Sequence, residues 1–115
     1  TEPLFAAGWV RPGTHITAIG ADCPGKQELE TDLVLSAELA VCDLTGQSLD
    51  HGEFQHAQAS GTLSNVVELG QILTQNHSGR PSKDAITIAD LTGIAPQDIA
   101  ITGAVLDAFT AKLET

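Results

Sequence analysis

A chain of 115 residues with 42% hydrophobic content has room for one modest core and no more. Fifteen Asp and Glu against five Lys and Arg give a net charge of -10, which repels nucleic acid and anionic membrane and argues against either as a partner. Two cysteines without a C-x-x-C suggest neither disulfides nor a metal. Arg11 and Pro12 break up the one early apolar run, and no stretch approaches the roughly 20 apolar residues of a membrane span, so a reduced cytoplasmic setting is expected.

The chain opens on "TEPLFAAGWV", read as a turn that Trp9 packs. "HITAIG", His15–Gly20, then reads as a strand: short, β-branched and mostly apolar. It runs into the polar loop "ADCPGKQ" and then "ETDLVLSAELA", where Thr31 is placed to cap a short helix. "LAVCD", Leu39–Asp43, is a second strand, with Cys42 in the core. "NVVELGQILTQ" sets Val66, Leu69, Ile72 and Leu73 on one face of a predicted helix, capped by Asn65 or Ser64. "AITIAD", Ala85–Asp90, is the third strand. The longest helix is expected from Pro96 to Leu113, with Pro96 in its first turn and Ala104, Ala108 and Ala111 as a small-residue side suited to close packing.

The order β-α-β-α-β-α predicts an α/β fold: a three-layer, Rossmann-like parallel sheet with crossover helices. Three strands are about half of a dinucleotide-binding domain, and the edge beside "HITAIG" is left open for pairing.

"GADCPGKQ", residues 20–27, fits the G-x-x-x-x-G-K of a phosphate-binding loop until Gln27 stands where Ser or Thr is needed for Mg²⁺. Asp22 would put a carboxylate into the cradle, and Pro24 removes one of the N–H donors that build it. Instead, a strand ending "IGAD" delivers a carboxylate to the carboxyl edge of the sheet, which borders the ligand crevice in open α/β folds. Gly20 and Ala21 let a flat ligand approach the backbone there. Asp22 is then a candidate proton acceptor, and Lys26 a cation for a phosphate or carboxylate. On composition alone, an Asp capping a turn beside a solvated Lys takes the larger share. "HGEFQH" has a superficial likeness to H-E-x-x-H, but its histidines are five apart and would diverge by roughly 140° on a helix, so no shared zinc is expected. Cys23 lies in the loop with nothing adjacent to activate it.

Three blocks shift that balance: "GTHITAIGADCPGKQEL", "HGE" ahead of "ELGQIL", and "ITIADLTGIAPQD". In this order, nearly end to end, the chain resembles the ornithine cyclodeaminase and mu-crystallin family. The resemblance implies an NAD(P)-dependent enzyme such as an ornithine or lysine cyclodeaminase, an alanine dehydrogenase or a ketimine reductase. NAD or NADP would be the cofactor and an amino acid or cyclic imine the substrate, and the complete protein would be a homodimer. The alternatives are a non-catalytic ligand-binding protein of the mu-crystallin kind, or an inactive fragment.

Only the later part of the family pattern is matched, and no G-x-G-x-x-G occurs. Residues 1–95 correspond to the second half of the Rossmann domain. Residues 96–115 correspond to a C-terminal helix returning towards an N-terminal domain. Carried over position by position, Asp22 stands in the catalytic acid/base slot and Lys26 at a dinucleotide contact. Gly20 and Ala21 match backbone lining the cofactor near the nicotinamide. In "DLTG", Thr92 and Gly93 fit a loop that touches cofactor and substrate. Leu91 takes the cofactor-side position where the family usually has Ser, and so lacks its hydroxyl; Ala89 replaces a common Phe.

Overall fold

A computed structural model describes residues 2–61, 63 and 65–113. Four strands form one parallel sheet in the order β1-β4-β2-β3: β1 His15–Ala18, β2 Leu39–Cys42, β3 Val66–Glu68 and β4 Thr87–Asp90. The helices are α1 Thr31–Ser36, α2 Thr45–His51, α3 Gln55–Ala59, α4 Leu69–Leu73 and α5 Ala95–Leu113, and a single 3₁₀ turn spans Ala7–Trp9. The predicted parallel α/β sheet is present, and β1 lies at an edge, where the open edge was expected.

The register explains the layers. Ile16, Ile88, Ala40 and Val66 lie in one cross-strand row, and Ala18, Asp90, Cys42 and Glu68 in another on the same face. This face packs on Leu29, on Leu33 and Val34 of α1, and on Phe54 and Ala57 around α3, forming the main core. The other face carries Leu39, Val41 and Ala89 against Val67 and against Leu69 and Ile72 of α4. Helices therefore cover both faces of a sheet whose central strands β2 and β4 are buried throughout. Cys42 is fully buried, and burial pushes its thiol pKa up, as fits a core cysteine.

Several expectations are corrected. The helix predicted over "NVVELGQILTQ" is a strand followed by a helix. The β-branched pair Val66–Val67 joins β2, and the helix begins only at Leu69. Gln71 Oε1 accepts from the Glu68 amide at 3.0 Å, a back-bond that fixes this later start. Asn65 therefore does not cap α4, and Ser64 lies outside the described residues. Leu73, expected on the buried face, is 75% exposed. Thr31 is the first residue of α1 and not its cap, the capping position being Glu30. Trp9 is 77% exposed and packs no turn. Helices α2 and α3 were not anticipated, because "TGQSLDH" and "QHAQA" are too polar to show an apolar stripe.

Helix α5 stands apart. None of its described residues is buried, and Ile99, Ile101, Val105, Leu106, Phe109 and Leu113 all face outward. Its 19 residues, about 28 Å of helix, explain the elongated 55 × 31 × 24 Å envelope. The radius of gyration is 16.6 Å, where a compact chain of this length would have about 13 Å. The small-residue side at Ala104, Ala108 and Ala111 is exposed.

Ile88 sits at the centre of the main core and is fully buried. Ile88→Ala is expected to cost about 2–5 kcal/mol in urea unfolding. Ile101→Ala on α5 should stay within about 0.5 kcal/mol of the parent. Equal effects of the two substitutions would contradict this assignment of the core.

Candidate functional site

Beyond β1 the chain passes Ile19, Gly20 and Ala21 before reaching Asp22. The turn is held from inside by Glu28, whose Oε2 accepts from the Gly20 amide at 2.8 Å and the Ile19 amide at 3.2 Å. A Cβ at Gly20 would meet that carboxyl group, so a side chain there would displace Glu28 from its present position. Ala21 is buried with the core. Asp22 and Lys26, predicted separately, meet in an ion pair: Lys26 Nζ donates to Asp22 Oδ1 at 2.5 Å, with both side chains about half exposed. Lys26 holds the Asp22 carboxyl below its ordinary pKa, and Asp22 holds the ammonium above its own. At neutral pH the loop therefore presents a charged carboxylate beside a charged amine.

The second loop follows β4, which pairs directly with β1. The Leu91 amide donates to Ala18 O at 3.0 Å, extending that pairing past the strand. Thr92 Oγ1 donates to Asp43 Oδ1 at 3.1 Å, and the Gly93 amide to Asp43 Oδ2 at 2.7 Å. Gln47 Nε2 donates to Thr92 Oγ1 at 3.0 Å and to Gly93 O at 2.8 Å. Leu91 is half-buried and lines a cleft of about 390 Å³ with Thr17, Val41, Leu69 and Ala89. This cleft lies over the part of the sheet face that α4 leaves uncovered. The predicted residues thus form two groups, Gly20 to Lys26 and Leu91 to Gly93, on neighbouring strand ends at the carboxyl edge.

Sequence reasoning missed the residues that hold these loops. Asp90 and Glu53 are both almost completely buried. Ser48 Oγ donates to Asp90 Oδ2, which also accepts from the Glu53 amide at 2.9 Å. Among the described residues, Asp90 Oδ1 is the one buried side-chain oxygen or nitrogen without a hydrogen-bond partner; the Phe54 amide favours its charge without completing such a bond. Gly52 cannot carry a side chain, since a Cβ would lie 2.7 Å from Ser48 Cα and also strike Asp90. Glu53 accepts from the Leu29 amide at 2.7 Å and the Glu28 amide at 3.0 Å. Gln55 Oε1 accepts from the Gly25 amide at 2.7 Å, and His56 Nε2 lies 3.0 Å from Lys26 O. "HGEFQH" was thus a real signal of a different kind: its side chains hold a loop. His51 pairs with Asp50, away from His56.

Comparison with known proteins bears on this edge. The sequence profile of the ornithine cyclodeaminase/mu-crystallin family matches residues 1–112. The chain belongs to this family. An alanine dehydrogenase from Archaeoglobus fulgidus is 42% identical over 87% of the chain and 32% of its own length. The crystal structure of the iminosuccinate reductase of Paracoccus denitrificans in complex with NAD⁺ superposes with a TM-score of 0.91 at 39% identity, covering 96% of this chain and 34% of that one. An archaeal alanine dehydrogenase dimer with bound NAD gives 0.88 at 38% identity, covering 96% and 35%. The chain spans about a third of the length of the curated relatives it matches. Among the described residues no helix is long and apolar enough to cross a membrane.

Burial raises the pKa of both Asp90 and Glu53, against the pull of their hydrogen bonds. The folded state then holds protons more tightly than the unfolded chain in a window just above the ordinary carboxylate range. Stability should fall as pH rises through that window. Urea unfolding across it should show this slope, and Asp90→Asn, which cannot ionise, should flatten it. An unchanged slope in the variant would place the effect elsewhere.

Proposed function

We propose that this chain is the nicotinamide-side half of the dinucleotide-binding domain of an NAD(P)-dependent amino-acid dehydrogenase. In the finer form of the reading it acts as an ornithine cyclodeaminase-like enzyme. The observation that carries it is the Asp22–Lys26 pair at the carboxyl end of β1, in a family whose solved members include NAD-bound reductase and dehydrogenase chains. Residues 1–95 form this half, and α5 is the helix that returns to the substrate-binding region of the longer family chains.

The residues fit one end of the cofactor. Gly20 and Gly93 leave exposed backbone at adjacent strand ends, and Lys26 supplies a cation at the rim. The sequence offers no glycine-rich pyrophosphate loop, so the rest of the dinucleotide must be held by other chain. When bound, NAD(P) supplies the hydride acceptor. Asp22, kept ionised by Lys26, takes a proton from the α-ammonium of the substrate, so that loss of hydride from the α-carbon leaves an iminium. In the cyclodeaminase form the distal amine attacks that carbon. The bond to the α-nitrogen breaks, the proton held by Asp22 leaves with ammonia, the attacking amine gives up a proton to solvent, and return of the hydride to the same carbon would complete the ring. Thr92 and Gly93 border the substrate. Leu91 meets the cofactor through apolar contact, lacking the hydroxyl usual in the family. The alternative, a non-catalytic ligand-binding member of the mu-crystallin kind, keeps the same cofactor contacts and needs no proton transfer.

Three outcomes are expected. The 115-residue chain alone should bind NAD⁺ weakly or not at all; micromolar affinity by calorimetry would overturn this. In a chain completed with the family's remaining regions, Asp22→Asn should lower kcat by about 10²–10⁴ with cofactor affinity nearly unchanged, and Lys26→Ala should weaken the cofactor more than it slows chemistry. Turnover by Asp22→Asn within a few-fold of the parent would make that carboxylate structural. The apolar face of α5 and the open edge of β1 should drive self-association, as in a homodimer; sedimentation as a monomer at all concentrations would count against this.

A further inference from the structure

The segment Gln47–His56 touches both loops of the candidate site. Gln47 bonds Thr92 and Gly93, and Ser48 and the Glu53 amide bond Asp90 at the end of β4. The Glu53 carboxylate then bonds the Glu28 and Leu29 amides. Glu28 in turn bonds the Ile19 and Gly20 amides, immediately before Asp22. Gln55 and His56 hold Gly25 and Lys26 at the far side of the same loop. The other polar side chains of the segment, Asp50 and His51, pair with each other.

We infer that Gln47–His56 is a positioning bracket that locks the Asp22 loop to the Thr92–Gly93 loop, with Glu53 at its centre and Glu28 as its link to Asp22. None of these residues is assigned to the reaction. Each acts through hydrogen bonds to residues in the two loops or to the residues that hold them. The geometry is directional: Asp90 fixes the amide of Glu53, Glu53 fixes the amide of Glu28, and Glu28 fixes the turn that aims Asp22. A shift at β4 is therefore transmitted to β1 through three carboxylates. Without the bracket, the Asp22–Lys26 loop is tethered only at its chain ends, and the ion pair loses its fixed geometry.

The test reads Asp22 itself. In the 115-residue chain, the Asp22 carboxyl is titrated by carbon-13 NMR and amide exchange is followed at Gly93. Glu28→Ala should move the Asp22 pKa up towards its ordinary value while unfolding stays cooperative. Glu28→Gln keeps one oxygen for both the Ile19 and Gly20 amides, so it should titrate like the parent. That rescue separates positioning from general destabilisation. Glu53→Ala should move Asp22 in the same direction and speed exchange at Gly93 by about tenfold, although the Gly93 partner Asp43 is untouched. Should Glu53→Ala not fold, Gln55→Ala, at a half-buried position outside the core, should still raise the Asp22 pKa. An unmoved Asp22 titration in folded Glu28→Ala or Gln55→Ala overturns the bracket. A moved Asp22 with Gly93 unchanged in Glu53→Ala overturns the coupling. That these loops serve a dehydrogenase rests on the preceding section, but the titration does not. Failure of the completed chain to bind cofactor would sink that function and leave the bracket standing.

Discussion

Carboxylates accepting from backbone amides hold the carboxyl edge of this sheet. Asp90, Glu53 and Glu28 form a series in which each acid fixes the backbone of the next, and Asp43 closes the neighbouring loop in the same way. Hydrogen bonds to a charged acceptor are worth roughly 1.5–3 kcal/mol each, whereas burying a carboxylate costs several kcal/mol. The directions of the pKa shifts decide between them. At Glu53 and Asp90 burial outweighs the amide and hydroxyl donors, so both acids are held at an energetic cost. Neither is there as cheap stabilisation. They fix the relative position of two loops that no ion pair spans.

The sheet was legible because its strands are. "HITA", "LAVC" and "TIAD" are short apolar runs ending in small residues or Asp, and the parallel arrangement follows from their spacing. The third strand was not legible: "VVE" is too short to show a period of its own. Val66 falls in helical phase with Leu69 and Ile72 only because a strand hands over to a helix at Glu68. The Asp22 loop could be placed from its position after a strand, whereas the Asp22–Lys26 pairing was not foreseen. The bracket could not. Its residues are spread over "QSLDHGEFQH", without the periodicity or spacing of any known chemistry. Their partners are backbone amides far away in sequence, which leave no mark in the residue pattern.

The two ends of the structure differ in what they bury. The main core packs one face of the sheet completely, while the other face is covered by α4 over β2 and β3 and left as a cleft towards β1. No described residue of helix α5 is buried. A helix of 19 residues can persist without tertiary packing, but a row of exposed Ile, Val, Leu and Phe side chains is a surface built to be covered. The cleft reaches the bracketed edge at Leu91.

The strong acidity of the chain also has a different meaning in the structure than in the composition. A charge of -10 reads as ordinary solubility, yet many of the acids point inward at amides: Asp43, Glu53 and Asp90 at the sheet edge, Glu28 under the Asp22 turn, Glu30 on Ala7, and Glu68 on Thr45. Like charges so close together repel, and this repulsion contributes to the raised pKa values of Glu53 and Asp90. With only five Lys and Arg in the chain, little neutralises it, and Arg80 is spent on the carbonyls of Gly13 and Ala85 and the hydroxyl of Thr87. Lys26 is thus the cation of the site edge, and it is given to Asp22. Lys26 is the main cause that keeps Asp22 ionised, helped by the Cys23 side chain and opposed by desolvation.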